Sequence, residues 1–256
     1  MAQRQKNAPI GMFDSGVGGI SVLREARQIL PGESFVFFGD TMNAPYGTKT
    51  KEEVLNLSRA VVEKLLGMGA KAIVIACNTA TSAAAKELRE QYDFPIIGME
   101  PALKPAAALH KDGYILSLAT PGTIRGEKYQ HLLERYGEGV VSLPCPGMME
   151  FVEKGETDSD ALHQFLELLF APYKEKAPEA IVLGCTHYVF LKKAIRRHFP
   201  DVPLIDGNGG TVRQLKHLLE ERELLNGEGE TGSVTLLSSG NPVAVQLMEQ
   251  LLNEKE

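Results

Sequence analysis

Cysteine is scarce in this sequence: three among 256 residues, an odd number at wide spacing. That pattern excludes the disulfide framework of small secreted domains and points to free thiols. Long apolar runs are missing too. Those present cover about 5–8 residues, against the roughly 20 that a membrane span needs, so no membrane partner is expected. The opening residues, "MAQRQKNAPIGMF", lack the apolar stretch of a secretory signal, and a cytoplasmic location is expected. Positive charge is not in excess: 27 Lys and Arg against 33 Asp and Glu give a net charge of −6. Nucleic acid is therefore not expected as a partner, because phosphate backbones call for a basic surface. A small anionic substrate remains compatible, since helix N-termini can make a cleft locally positive.

What is present is a regular alternation. Short apolar runs stand at residues 10–13, 34–39, 72–76, 95–98, 114–118, 140–143, 180–184, 204–205 and 233–238. Between them lie segments of helical period. Residues 51–68 place Val54, Leu57, Val61, Leu65 and Leu66 on one face, and residues 158–170 do the same with Leu162, Phe165, Leu166 and Leu169. Strand and helix in alternation predict an α/β fold with parallel sheets, and continuous apolar strands predict cover on both faces.

The chain also repeats itself. "AIVIACNT" (Ala72–Thr79) is matched by "AIVLGCTH" (Ala180–His187), at an offset of 185 − 77 = 108 residues. Downstream, Pro95 pairs with Pro203 at the same offset, 203 − 95 = 108. A shared offset at both ends of a strand–turn–helix–strand unit points to a duplicated half. "FDSGVGGI" and "LATPGTI" form a poorer further pair. The expectation is two similar parallel-sheet domains related by a pseudo-two-fold axis, with an active site in the cleft between them.

Ligands of open α/β sheets bind beyond the carboxyl ends of the strands, where Cys77 and Cys185 both fall. Each is expected just before a helix N-terminus, which favours thiolate and draws the pKa down from about 8.5 toward neutrality. Two opposed sulfurs suit inversion at a carbon: one removes a proton, the other returns one to the opposite face. Asn78, Thr79 and Thr186 offer donors for carboxylate oxygens. His187 is placed to tune Cys185 or shuttle its proton, and Asp14, at another strand end, to orient a base or hold an ammonium group. A single strand-end cysteine is more often a small buried hydrophobe, which is the reading for Cys145 in "LPCPGMM". "CTH" is half a zinc site at best, with no second cluster evident. "DSGVGG" fits no phosphate-loop pattern and reads as a glycine-lined turn. "APYG" reads by default as a turn on Pro45 and Gly47, and "MEPALKPAAA" as a helix start or a linker between halves.

Four motifs, "FDSGVGG" (Phe13–Gly19), "DTMNAPYG" (Asp40–Gly47), "ACNTAT" (Ala76–Thr81) and "GCTHY" (Gly184–Tyr188), resemble in order and spacing those of the cofactor-independent glutamate racemases, within the aspartate/glutamate racemase superfamily. The resemblance covers nearly the whole chain. It implies interconversion of L- and D-glutamate for peptidoglycan synthesis, without pyridoxal phosphate, metal or nucleotide. It implies that Cys77 and Cys185 are the two acid/base residues, abstracting from D- and L-glutamate respectively, with Asp14 and His187 as their helpers. Asp14, Ser15, Pro45, Tyr46, Gly47, Asn78, Thr79, Thr186 and His187 match substrate-contacting positions, and Thr120 and Thr123 do so in a segment that departs from the usual glycine-rich version. An assisting glutamate matches Glu153 best, with Glu150 nearby. The family pattern further implies a discontinuous first domain (residues 1–98 and 208–256), a second domain (residues 99–207) and a homodimer. Aspartate racemase or another isomerase of the superfamily would share the cysteine pair, and an amino-acid-binding redox sensor is the alternative from another class.

Overall fold

The computed structural model describes residues 6–227, 231–240 and 242–254; the first five residues of the opening stretch lie outside it. The first lobe begins with β1 (Ile10–Asp14), α1 (Ile20–Ile29), β2 (Phe35–Gly39), α2 (Lys51–Gly67), β3 (Ala72–Ile75), α3 (Asn78–Gln91) and β4 (Ile96–Gly98). The second contains α4 (Leu103–Ala107), β5 (Ile115–Ala119), α5 (Pro121–Arg125), α6 (Glu127–Tyr136), β6 (Val140–Pro144), α7 (Met148–Glu153), α8 (Asp160–Phe170), β7 (Ala180–Leu183), α9 (Lys192–His198) and β8 (Leu204–Ile205). The chain closes with α10 (Asn208–Glu221), β9 (Val234–Ser238) and α11 (Pro242–Asn253).

Both sheets are parallel throughout. Their orders are β4-β3-β1-β2-β9 and β6-β5-β7-β8. Read in the opposite direction, the second runs β8-β7-β5-β6, so each of its strands has a counterpart in the first sheet. The repeat seen in the sequence is thus the pairing of β3 with β7 and of β4 with β8. Its poorer companion, "FDSGVGGI" with "LATPGTI", pairs β1 with β5. The additional strand is β9, which joins the edge of β2.

Strands β1, β2, β3, β5 and β7 are buried along their whole length, whereas the edge strands β6, β8 and β9 are only partly so. In β1, Ile10 and Met12 belong to one core, with Ile20 and Leu23 of α1, while Phe13 turns to a second core with Val54, Val61 and Leu65 of α2. Burying each such aliphatic side chain contributes about 1.5–3 kcal/mol. The first core is continuous between lobes, also holding Leu116 of β5, Ile181 of β7 and Tyr188. A capping box of Thr50 and Glu53 starts α2, each side chain bonding the other's backbone N–H.

The expected helix after each cysteine appears only once. Cys77 is the N-cap of α3, and its sulfur accepts the Ala80 N–H at 3.4 Å. Cys185 instead leads into a 3-10 turn, Thr186–Leu191, before α9 begins. That turn buries all six of its side chains, including Tyr188, whose hydroxyl donates to the Cys145 carbonyl at 3.1 Å. Packing, not helix propensity, sets the backbone there, and Cys185 lacks the axial dipole of a full α-helix.

Candidate active site

Both thiols face one pocket at the carboxyl ends of the two sheets. Cys77 and Cys185 line it with Ser15, Tyr46, Gly47, Asn78 and Thr79 from the first lobe, and Thr120, Thr123, Thr186 and His187 from the second. Its volume is about 10 Å³, close to the threshold for one water molecule, so the lobes stand closed. The closure contacts are specific. Thr79 Oγ1 lies 3.2 Å from both Thr120 Oγ1 and Thr123 Oγ1. A Cβ on Gly122 would fall 2.8 Å from the Gly47 carbonyl oxygen, so backbone meets backbone across the cleft.

Behind each sulfur runs a hydrogen-bonded chain ending on a carboxylate. On one side the Cys77 thiol donates to Ser15 Oγ at 3.6 Å, and Ser15 donates to Asp14 Oδ1 at 3.4 Å. Asp14 is fully buried and also accepts from the Gly16 N–H and the Thr186 hydroxyl, both at 2.9 Å. On the other side Cys185 Sγ lies 3.6 Å from His187 Nδ1. His187 Nε2 lies 2.6 Å from Glu153 Oε1, which accepts the Val17 N–H at 2.8 Å. The Gly18 amide approaches the same Nε2 at 3.2 Å. The shorter contact assigns Nε2 as donor to Glu153 and Nδ1 as the nitrogen facing the sulfur.

The structure separates these residues into ranks. Asp14 and Glu153 stand behind the pocket and reach it only through Ser15, Thr186 and His187. Pro45 does not line it; the cis Ala44–Pro45 peptide precedes the turn that presents Tyr46. Of the two glutamates on α7, Glu153 contacts His187 whereas Glu150 is exposed. Asn78 Oδ1 is buried without a hydrogen-bond partner among the described residues. Two residues escaped the sequence reading. Asp40, buried at the end of β2, accepts the Tyr46 hydroxyl at 2.6 Å and the Asn43 amide at 3.0 Å, fixing the loop that carries Tyr46. Met149 supplies an apolar wall. "FGD" repeats the strand-end acid of "FDS", a signal that could have flagged Asp40.

Electrostatics distinguish the two sides. Burial, with the Asp14 carboxylate nearby, pushes the Cys77 thiol up to about 12. This corrects the expectation of a lowered value: the α3 terminus acts on the sulfur, but the closed cleft removes the water that would solvate a thiolate. Burial likewise raises Asp14 above the usual carboxylate range, against its hydrogen bonds and the His187 charge. Burial would lower His187, yet its contacts with Cys185 and Glu153 outweigh this and raise it well above 6.5. Glu153 is held below 4.5: burial opposes this, but His187 and the Val17 N–H prevail.

The linkage follows from those directions. A raised histidine stabilises the fold fully below pH 6.5, and this is lost as pH climbs through the raised value. A lowered carboxylate stabilises above pH 4.5, and this is lost as pH falls through the lowered value. The pair therefore contributes fully between about pH 4.5 and 6.5. His187→Gln should lower Tm most in that window, with the gap to wild type narrowing toward alkaline pH in thermal scans. A gap constant across pH would show that the ion pair contributes nothing.

Two buried thiols thus share one pocket, each backed by a hydrogen-bonded chain to a carboxylate. The chain belongs to the Asp/Glu/Hydantoin racemase family, whose model matches residues 20–215. It is thus a racemase, an isomerase. Among its relatives is the glutamate racemase of Clostridium perfringens, 49% identical over 238 residues that cover 91% of this chain and 92% of the relative. The Thermus thermophilus glutamate racemase, solved with beta-chloro-D-alanine, is 37% identical at a TM-score of 0.81, with 98% of this chain and 94% of that one covered. The Francisella tularensis enzyme, solved with D-glutamate, is 29% identical at a TM-score of 0.82, with 98% and 95% covered. Among the described residues no helix is long and apolar enough to cross a membrane.

Proposed function

We propose that this chain interconverts L- and D-glutamate by a two-base reaction at the α-carbon, supplying D-glutamate for peptidoglycan. The observation that carries the reading is the opposition of Cys77 and Cys185 across one pocket, each with its own proton relay. Starting from L-glutamate, the Cys185 thiolate takes the α-proton and the C–H bond breaks. A planar, enolate-like carbon remains, and the Cys77 thiol delivers its proton to the other face. Cys185 ends protonated and Cys77 ends as thiolate; D-glutamate reverses each step. The high value of Cys77 in the closed cleft suits a group that starts as the acid.

Acid–base catalysis of this kind contributes about 10²–10⁴-fold, too little alone for an α-hydrogen beside a carboxylate. The remainder is assigned to the α-carboxylate's contacts with turn amides and hydroxyls, Asn78, Thr79 and Thr186 among them, in a site closed to water. Because the pocket is shut, substrate entry requires the lobes to part, breaking the Thr79–Thr120–Thr123 cluster.

The test is incubation of L-glutamate with enzyme in D₂O, following optical rotation and α-deuterium together. Product should carry solvent deuterium from the first turnovers, while early recovered substrate keeps its protium. Product retaining the original α-proton would sink the two-base reading, and turnover of L-aspartate but not L-glutamate would move the substrate assignment.

The same reading takes residues 1–98 with 208–256 as one domain and 99–207 as the other, acting as a homodimer in the cytoplasm. The pairing of β9 with β2 supports the division into domains, and the homodimer rests on the family resemblance alone.

A further inference from the structure

A second cavity, of about 220 Å³, opens at the outer side of Thr79, which lines both it and the catalytic pocket. Lys49 and Lys51 border it from the first lobe, Gly122, Arg125 and Glu127 from the second, and Ser82 of α3 forms part of its wall. Lys51 is held by Glu87 at 3.0 Å. Lys49 and Arg125 make no ion pair among the described residues, although Glu53, bound to Thr50, acts on Lys49 through space. Ser82 Oγ is buried without a hydrogen-bond partner among the described residues, and a Cβ on Gly126 would lie 2.2 Å from it. A side chain at position 126 would take the room around that hydroxyl.

We propose that this basin is an anion-capture site, in which Lys49 and Arg125, one from each lobe, receive a carboxylate of the incoming dicarboxylate before the lobes close. This rests on the reading of glutamate as substrate. The chain as a whole carries a charge of −6, so an anionic amino acid is repelled at long range; Lys49 and Arg125 set positive charge at the mouth, where Glu127 also stands and acts, with Glu87, on Lys51 rather than on them. Lys49 and Arg125 border the cavity from opposite lobes, so like charge on the two sides disfavours closure. A carboxylate between them removes that repulsion, so capture and closure favour each other. With a Debye length of about 8 Å at physiological salt, cations beside Thr79 still act on a substrate that has moved inward.

Lys49→Gln and Arg125→Gln test this, with Lys216→Gln, half-buried on α10 and outside the basin's lining, as an equal change of net charge. Two readouts are taken at several salt concentrations: calorimetric titration with glutarate, an achiral dicarboxylate that needs no turnover, and steady-state kinetics on both glutamate enantiomers. Each basin variant should bind glutarate about three- to tenfold more weakly and lose most of the salt dependence. The kinetic loss should fall on KM for both enantiomers while kcat holds, and Lys216→Gln should match wild type. Glutarate binding unchanged in both basin variants, or a loss confined to kcat, overturns the proposal. Wild type that binds glutarate through Lys49 and Arg125 but does not racemise glutamate would overturn the substrate reading and leave the capture site standing.

Discussion

Serine at position 77 or at position 185 should abolish racemisation, with a loss of about 10²–10⁴-fold or more in kcat, the range a positioned acid or base supplies. A hydroxyl occupies the same place as the thiol, but its conjugate base is far less accessible near neutral pH. The two variants should nonetheless differ. With Cys185 left, the first should exchange the α-proton of L-glutamate with D₂O without inverting it; with Cys77 left, the second should exchange that of D-glutamate. Thermodynamics constrains the comparison. The enantiomers have equal free energy in water, so the equilibrium constant is one and kcat/KM must be equal in both directions for every variant. Asymmetry between the thiols can therefore appear only in kcat, in KM and in isotope exchange. Full racemase activity in either serine variant would end the two-base account.

Gly18→Ala should cost about 10²-fold in kcat although it touches neither sulfur. An added Cβ would lie 2.3 Å from His187 Nδ1 and 2.6 Å from Cγ, inside van der Waals contact with the ring. The imidazole is buried, 1% exposed, and held by contacts with Gly18, Cys185 and Glu153 that any shift would disturb. A displacement near 1 Å in a positioning group can cost about 10²-fold. The overpacking itself costs about 1–3 kcal/mol, a Tm drop of about 2–12 °C for a chain of this size. Gly16→Ala is the graded comparison: its Cβ would meet Glu153 Oε1 at 1.9 Å, the far end of a flexible side chain that can turn aside by giving up its bond to His187 while the ring keeps its place. Its kinetic loss should be smaller. A Gly18→Ala enzyme with wild-type kcat, or the reverse order of the two losses, would show that His187 placement does not govern turnover.

Much of this site could be read before any coordinates existed, for a physical reason. Doubly covered central strands leave continuous apolar runs, and the partly exposed edge strands β6, β8 and β9 still carry short apolar stretches, so all nine strand positions stood out; the abrupt end of a run marks the sheet edge where Asp14, Cys77 and Cys185 sit. A duplicated half left a constant offset that paired the two cysteines. Other features leave no local trace. The 3-10 turn after Cys185 is fixed by tertiary packing of Tyr188 and Phe190, residues equally compatible with a helix. The joining of β9 to β2 depends on a contact about 200 residues distant in sequence, and here only the family resemblance pointed to it. The raised value of Cys77 comes from closure of the cleft, a property of both lobes together, whereas the sequence displays only the helix start that would act the other way. Asp40 opens one of the four motifs, but its bond to Tyr46, six residues on, depends on the fold of the intervening loop and leaves no mark in the spacing.

The closed cleft has a consequence for chemical endurance. Cys77 and Cys185, the two thiols of the cleft, are only 7% and 8% exposed. Oxidation to sulfenic acid needs a thiolate that peroxide can reach. In the shut enzyme the sulfurs are out of reach, and the reactive state exists where no oxidant can enter. Damage is then confined to moments when the lobes part, so the lifetime of the enzyme under oxidative stress is set by how often it opens. A substrate that holds the lobes together protects the same atoms it uses.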